Sequence, residues 1–285
     1  MCGGPKGKTK MSDMAGHGRR SGSGHALAAL VLYRGATGGR ANLTLGIVAF
    51  ILFIAIWYLI VFTGIVSERF LPYPGVVIWT MAELLTMESF QTDVQISVAR
   101  VWGAFLLSVA AAVPIGIWMS SYRIVGALLE PIVDFIRYLP VPALVPLLII
   151  WFGIGEASKV AVLWMGTFFQ LVLLIADDAK RIPREFVETG YTLGARPHQI
   201  TRSIVLPAML PTMVDNLRIT LGWCWTWIIV AEIVAANSGI GHYIWSMRRF
   251  LKTPEVMAGI LVVGIIGLLT DQAVRILHRR LFRYL

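Results

Sequence analysis

The sequence predicts an all-α membrane protein with six transmembrane helices, and three observations support this fold class. Of the residues, 57% are hydrophobic and 14% are charged, whereas a soluble domain usually carries about 25% charged residues. The mean hydropathy is +0.73. Six apolar runs, each about long enough to cross a bilayer as a helix, follow one another and are separated by polar segments.

The predicted transmembrane domain covers residues 44–285. Its first apolar run contains no charged residue, as expected for a helix that crosses hydrocarbon. A long polar loop, 177–203, separates the fourth run from the fifth. The six predicted spans are 45–62, 101–119, 131–152, 160–176, 204–236 and 256–277.

The second and third spans carry distinctive patterns. Pro140, Pro142 and Pro146 interrupt the third span and leave backbone carbonyls without their usual donors, which lipid tolerates only beside protein or a water-filled cavity. We therefore expect this span to face the interior of the bundle and the pathway. In the second span, small residues every four positions predict the close approach of another helix. They are Ala104, Ser108, Ala112 and Gly116.

Residues 1–43 are rich in Gly, Ser, Lys and Arg and have no sustained apolar period, which predicts a disordered basic tail. Within it, CGGPKGKT differs from a phosphate-binding loop because Cys2 stands where the first glycine would be. No strand precedes it, so a basic tail is favoured over a nucleotide site. The tail is longer than a typical signal-peptide n-region, and the first apolar run is expected to stay in the mature protein.

The distribution of basic residues predicts the orientation. The formal net charge is +9, and most Lys and Arg residues lie in the tail, the 177–203 loop and the C-terminal segment. Six spans place both termini on one side, so the positive-inside rule predicts that both termini and this loop are cytoplasmic. Arg248, Arg249 and Lys252 are an exception on the outer side. This distribution indicates contact with membrane lipid and no nucleic-acid partner.

The 177–203 loop has a pattern of its own. Gly194 can supply a positive φ or allow another backbone to approach closely. Pro197 suits the first turn of a short helix. The sequence therefore predicts a helix, a tight turn and a second helix lying across the inner face. Together they would form a protruding surface that a soluble partner could bind.

The stretch ETGYTLGARPHQITRSIVLP, residues 188–207, resembles the signature loop of binding-protein-dependent ABC-transporter permeases, E-A-A-x3-G-x9-I-x-L-P. In this pattern the two alanines are replaced by Thr189 and Gly190, a departure expected to loosen the first helix of the loop. The positions that match are Glu188, Gly194, Ile204, Leu206 and Pro207.

Three other stretches resemble the nitrate, sulfonate, taurine and bicarbonate subgroup of these permeases. They are FLPYPGVV (70–77), LVPLLIIWFGIGEASK (144–159) and AEIVAANSGIGHYI (231–244). The resemblance implies a type I ABC importer permease fold in a bacterial inner membrane. It implies a permease subunit that forms the pathway for a small solute, such as nitrate, bicarbonate or a sulfonate like taurine.

The resemblance also implies partners and a coupling loop. The expected assembly contains a second permease copy as a homodimer, two cytoplasmic ATPase subunits and an external substrate-binding protein. ATP and Mg would be bound by the ATPase subunits, so this chain is expected to be no enzyme and to bind no cofactor or metal. The loop would seat in a groove on the ATPase. The implied coupling residues are Glu188, Thr189, Gly190, Gly194, Ala195, Arg196, Ile204, Leu206 and Pro207.

Ionisable residues at membrane depth are costly and are candidates for function. Asp134 with Arg137, Asp215 with Arg218, and Asp271 with Arg275 are spaced to pair along one helix. Arg137 and Arg218 could instead line an anion path. Glu232 could cap polar groups or shape a gate. The candidate path residues are Arg137, Pro140, Pro142, Arg218 and Glu232.

Other interpretations have less support. Trp223, Trp225 and Trp227 alternate and cannot all share one helical face, which favours packing and interface anchoring over a ligand site. An intramembrane enzyme would need a nucleophile and a base, and neither G-x-S-x-G nor H-E-x-x-H occurs. A secondary carrier or channel remains as an alternative, although it would not require the 188–207 pattern.

Overall fold

The computed structural model describes residues 39–283, and every regular element in that range is helical. In chain order the elements are α1 (Gly39–Phe62), α2 (Pro74–Thr86), α3 (Glu88–Ser121), α4 (Arg123–Arg137), α5 (Val141–Phe152), α6 (Glu156–Lys180), α7 (Arg184–Thr192), α8 (Pro197–Ile200), a π-helical turn (Thr201–Val205), α9 (Leu206–Ala235), α10 (Ile240–Arg249) and α11 (Thr253–Leu281).

Within the described range, five helical stretches are long and apolar enough to cross a membrane. A sixth span results if α4 and α5, which are bent by 101° relative to each other, count as one. The predicted number of spans therefore depends on this bent pair. The five stretches are Asn42–Phe62, Glu88–Ser121, Glu156–Lys180, Pro197–Val234 and Thr253–Leu281.

The helices extend beyond most of the predicted apolar runs. An apolar window measures the part of a helix that suits hydrocarbon, whereas the backbone hydrogen bonds continue through polar residues. As a result α3 begins at Glu88 and contains Arg100, which the prediction placed at the edge of a span that began at residue 101. Helix α1 begins at Gly39, so the end of the predicted 1–43 tail is helical, while residues 1–38 lie outside the described residues.

The third predicted span, 131–152, is two helices rather than one. Helix α4 ends at Arg137, and Pro140 is the N-cap of α5. Proline lacks an N–H and disfavours helical geometry in the residue before it, so the chain turns between the two helices. Helix α4 also begins earlier than predicted, at Arg123, and continues through Pro131.

The core of the bundle lies where α3 packs against α6. The stripe of small residues on α3 is buried, and a Cβ on Gly116 would lie 2.7 Å from the carbonyl oxygen of Val172 on α6. The hydroxyls of Ser108 and Thr167 are 2.9 Å apart across the same interface. The prediction that this stripe admits a close neighbour is confirmed, and the neighbour belongs to the same chain.

The chain divides into two compact units between Trp57 and Tyr58, inside α1. In the first unit, α1 has exposed apolar side chains such as Leu43, Phe50 and Phe53. An apolar surface of this kind is typical of a helix in contact with lipid.

Candidate coupling segment and membrane cavity

Residues 184–205, called the 184–205 segment below, connect α6 to α9 through two short helices and a π-helical turn. Helix α7 ends in a Schellman motif, in which the Ala195 N–H donates to the Gly190 carbonyl (3.0 Å) and the Gly194 N–H donates to the Tyr191 carbonyl (2.9 Å). Gly194 has φ +79°, and a Cβ there would meet open space. The turn therefore requires glycine for its positive φ, which is the first of the two predicted alternatives.

The start of α8, the second helix of the segment, is defined by a proline and by a capping hydrogen bond. Pro197 occupies its first turn, as predicted. The side-chain oxygen of Gln199 accepts a hydrogen bond from the Arg196 N–H at 2.8 Å. This bond satisfies a backbone donor that the helix itself leaves free.

The two departures from the alanine pattern do not interrupt α7, which is continuous through Thr189 and Gly190. Gly190 is buried, and a Cβ there would lie 2.8 Å from Cδ1 of Ile204 and 3.2 Å from Cγ1 of Ile200. The missing side chain lets α7 pack directly against the following helix and turn. This tertiary packing offsets the low helix propensity of glycine, and the loosening expected from the two departures stays a prediction.

The segment exposes several apolar side chains. Leu193, at the turn, is 82% exposed, and Phe186 and Tyr191 on α7 are also exposed. Glu188 and Arg196 are exposed polar neighbours along the chain. Exposed apolar side chains with charged neighbours are typical of a protein–protein interface. After it, Leu206 and Pro207 form the first turn of α9.

A cavity of about 430 Å³ lies at the α4–α5 bend and is walled by α6 and α9. We call it the bend cavity. Arg137 and Pro140 are among the residues that line it; Pro142 is exposed but is not in the lining. The lining residues are Ile136, Arg137, Leu139, Pro140, Val141, Leu144, Met165, Gly166, Phe169, Gln170, Trp223, Thr226 and Trp227.

Arg137 is held in place by two neighbours. Its Nε donates to Asp134 Oδ1 at 2.8 Å, as the predicted spacing allows. Its Nη2 donates to the Tyr138 hydroxyl at 2.8 Å, and the guanidinium lies 4.3 Å from the centroid of that ring. The contacts hold the cation at the cavity wall.

The aromatic wall of the bend cavity comes from two tryptophans four residues apart on α9. Trp223 and Trp227 share one helical face and line the cavity, whereas Trp225 is buried on another face. A Cβ on Gly166 would lie 2.7 Å from the Trp227 ring, so this glycine makes room for the indole. The three tryptophans cannot all share one face, as predicted, but the i, i+4 spacing of Trp223 and Trp227 places these two on the face that lines the cavity.

At the opposite end of α6 and α9 from the 184–205 segment lies a buried ionic network. Arg100 Nη1 donates to Glu232 Oε1 at 2.7 Å, and its Nε and Nη2 each donate to Glu156 at 2.6 Å. Lys159 Nζ donates to Glu156 Oε1 at 2.9 Å. The side chains of Arg100 and Glu232 are 3% and 0% exposed, so both charges are desolvated and paired.

Glu232 also satisfies a backbone turn. Its Oε2 accepts the Gly241 N–H at 2.7 Å, and its Oε1 accepts the Ser97 hydroxyl at 2.7 Å. The Ser97 oxygen in turn accepts the Ile240 N–H at 2.9 Å. Gly239 has φ +109°, and a Cβ there would collide with the Glu232 carboxylate. Of the two predicted roles of Glu232, the structure places it in contact with polar backbone groups.

The predicted pair of Asp215 and Arg218 forms, whereas Asp271 has a partner other than the predicted one. Arg218 lies 3.3 Å from Asp271, which is on another helix, and 3.9 Å from Asp215. Asp271 therefore pairs with Arg218 rather than with Arg275, for which the described part of the chain shows no ion pair. The spacing of Asp271 and Arg275 predicted a pair within α11, and the packing of α9 on α11 instead gives Asp271 a partner on another helix.

Sequence and structure comparisons identify the family. Residues 112–283 match the family described as "Binding-protein-dependent transport system inner membrane component". The taurine transport system permease protein TauC of Escherichia coli (strain K12) is 31% identical over 84% of this chain and 89% of its own length. This chain belongs to that family.

Other members of the permease family carry related names. SsuC of Bacillus subtilis (strain 168), named for aliphatic sulfonates transport, is 33% identical over 81% of this chain and 84% of its own length. The bicarbonate transport system permease protein CmpB of Synechococcus elongatus is 28% identical over 66% of this chain and 68% of its own length.

Solved ABC importers share the fold of this permease. The MetNI methionine transporter, in an inward-facing conformation, has a TM-score of 0.57 at 19% identity and covers 75% of this chain and 99% of its own. A bacterial alginate importer has a TM-score of 0.58 at 15% identity and covers 83% of this chain and 96% of its own. The predicted all-α importer-permease fold is therefore confirmed.

Proposed function

We propose that this permease forms the pathway of an ATP-driven importer and that its 184–205 segment receives the motion of an ATPase. One structural observation carries the proposal. The segment joins α6 directly to α9, and these two helices wall the bend cavity. Because the segment is short and its turns are hydrogen-bonded, a displacement of its surface would also move α6 and α9.

The segment's surface supports a soluble partner. Exposed Leu193, Phe186 and Tyr191 would lie against apolar groups of an ATPase groove, and Glu188 and Arg196 would form the rim. A secondary carrier or channel would leave this surface without a partner. We therefore assign the ATP and Mg to two partner ATPase subunits, and this chain acts as a transport subunit rather than an enzyme.

The family supports a proposal for the assembly. We propose a homodimer of permeases in a bacterial inner membrane, with both termini cytoplasmic, supplied with a small oxyanion by an external binding protein. The alginate importer was solved with a periplasmic protein that carries an alginate pentasaccharide, which supports delivery by such a partner. The names of TauC, SsuC and CmpB support sulfonates or bicarbonate as the class of cargo.

The proposal is tested by Gly194→Trp and Glu188→Lys in the complete complex. We expect both variants to insert, with ATPase binding weakened or misplaced and substrate-stimulated ATP hydrolysis severely reduced. Gly64→Trp is the matched control, because Gly64 also has a positive φ (+69°) and open space around its Cβ. Copurification of the ATPase and hydrolysis with loaded binding protein are measured. Normal coupling in both segment variants would contradict the assignment.

A further inference from the structure

The bend cavity contains polar groups that no contact in the described residues satisfies. The Gln170 side chain is half-buried in the lining and makes no hydrogen bond with any residue in the described range. Arg137 uses Nε and Nη2 for its neighbours, and its Nη1 has no partner among the same residues. These groups are free to bind a ligand in the cavity.

Gln170 lies deep in a helix that is long and apolar enough to span the membrane. Gln170 is well inside α6, which runs from Glu156 to Lys180, about 15 Å from the nearer end by helical rise. A polar amide at this depth is costly unless it meets a polar partner. An arginine lines the same cavity, and the two side chains together indicate an anionic or strongly accepting partner.

The apolar side chains of the lining indicate which chemical group accompanies the anion. Trp223, Trp227, Phe169 and Met165 give the cavity a large apolar surface. Nitrate and bicarbonate have no hydrocarbon with which these side chains could pack. A volume of about 430 Å³ lies within the usual range of small-molecule sites. The lining holds one charged side chain, Arg137, so the cavity disfavours cations.

We propose that the bend cavity is a selectivity site for an organic oxyanion with a short hydrocarbon chain. Arg137 Nη1 and the Gln170 amide donate to the oxyanion head, and Trp223 and Trp227 pack on the chain. This inference rests on the proposed transport function and narrows its cargo from oxyanions in general to organic ones. The Asp134 and Tyr138 contacts hold the guanidinium in place without an occupant, so that the cation stays paired when the cavity is empty.

The test places a cysteine in the wall and leaves both head-group donors intact. Thr226→Cys is suitable because Thr226 lines the cavity and its hydroxyl bonds only the nearby Trp223 carbonyl. Cys2 is changed to Ser, and Cys224 is kept because it is fully buried. The complete complex in membrane vesicles is labelled with sulfonatoethyl methanethiosulfonate and with its trimethylammonium analogue.

We expect the anionic reagent to react about tenfold faster than the cationic one, since Arg137 faces the same cavity. Butanesulfonate should slow labelling more than methanesulfonate, and both more than sulfate or bicarbonate. Adding Gln170→Leu should weaken protection by butanesulfonate about tenfold, the loss of roughly one hydrogen bond to a charged group. Leu269→Cys, on the exposed apolar surface of α11, should react with neither charged reagent.

Equal reaction with both reagents, or equal protection by sulfate and butanesulfonate, would overturn the selectivity site. Met165→Cys, also in the lining, repeats the measurement if the Thr226 variant does not accumulate. ATP-dependent uptake by the parent complex is measured in parallel. Uptake without ATP would refute the importer function, whereas ATP-driven uptake with indiscriminate labelling would refute this inference alone.

Discussion

The two ends of this permease differ in how far their side chains are buried. At one end, Arg100, Glu232 and Glu156 are joined by hydrogen bonds of 2.6–2.7 Å, with Arg100 and Glu232 almost completely buried. At the other end, the 184–205 segment leaves Leu193 82% exposed and Glu188 unburied. The first arrangement is complete within one chain, and the second leaves a surface open to a partner. Mutations at the two ends should therefore act on different quantities: stability at the first and coupling at the second.

The largest expected effect is on the buried network. Arg100→Met removes the cation that neutralises Glu232 and leaves that carboxylate buried at 0% exposure. Removal of one partner of a buried ion pair costs about 3–5 kcal/mol. We expect poor accumulation and a strong fall in thermal stability in detergent.

Arg137→Met is the control for the network, because its ion pair with Asp134 is partly exposed on both sides. It should accumulate normally, since exposed pairs contribute about 1 kcal/mol or less. An equal loss of stability in both variants would show that burial does not determine how much Arg100 and Arg137 contribute to stability.

Two glycines with positive φ sharpen the comparison. Gly239→Ala places a Cβ against the Glu232 carboxylate, whereas a Cβ at Gly194 meets open space. Both variants incur the cost of a positive φ at a residue with a side chain, about 1–3 kcal/mol. Gly239→Ala must also displace the carboxylate from its hydrogen bond with the Gly241 N–H. We expect its melting temperature to fall further than that of Gly194→Ala, and the opposite order would contradict the structure of the network.

The open surface should respond in coupling rather than in stability. Leu193→Asp changes an exposed side chain at a turn, so its effect on the free energy of unfolding should be within about 0.5 kcal/mol of zero. A carboxylate against an apolar groove is costly, and substrate-stimulated ATP hydrolysis should fall at least tenfold. Leu251→Asp is the control, since Leu251 is equally exposed, at 82%, in a loop near the other end. Unchanged coupling in the Leu193 variant would exclude docking through this turn.

The sequence predicted local features better than distant contacts. The turn at Gly194, the start at Pro197 and the small-residue stripe of α3 depend on spacings within one segment, and the structure confirms each. The network of Arg100 did not emerge because its partners lie 56 and 132 positions away along the chain. No spacing rule joins residues at such distances, and an apolar window placed Arg100 at an edge.

The sequence predicted only one local feature of the bend cavity, because the rest of the cavity depends on contacts between distant residues. The prolines indicated irregular backbone beside a pathway, and Pro140 lies in the lining. The sequence could not give the 101° angle between α4 and α5, nor which faces of α6 and α9 meet there. Gln170 and the pair Trp223 and Trp227 became candidates only once those faces were known.

The smallest expected effect is that of Arg218→Gln. The sequence assigned Arg218 and Arg137 the same candidate roles, and the structure separates them. Arg218 lies outside the lining of the bend cavity and pairs loosely with Asp271 and Asp215, with 23% of its side chain exposed. Its Nε is buried without a hydrogen bond, so the pairing contributes little. We expect Arg218→Gln to cost about 1 kcal/mol or less and to retain uptake within about twofold.

Arg137→Gln provides the contrast with Arg218→Gln, because it removes the charge from the cavity wall while its own ion pair is also partly exposed. Uptake should fall in this variant, with basal ATP hydrolysis and ATPase copurification preserved. Rates for both variants are measured in the same vesicles and divided by the amount of inserted permease. If Arg218→Gln reduced uptake as much as Arg137→Gln at equal insertion, the pathway would pass α9 closer to the 184–205 segment than the bend cavity does. The pair of variants thus locates the anion along α9, because Arg218 precedes Trp223 and Trp227 by one to three helical turns on that helix.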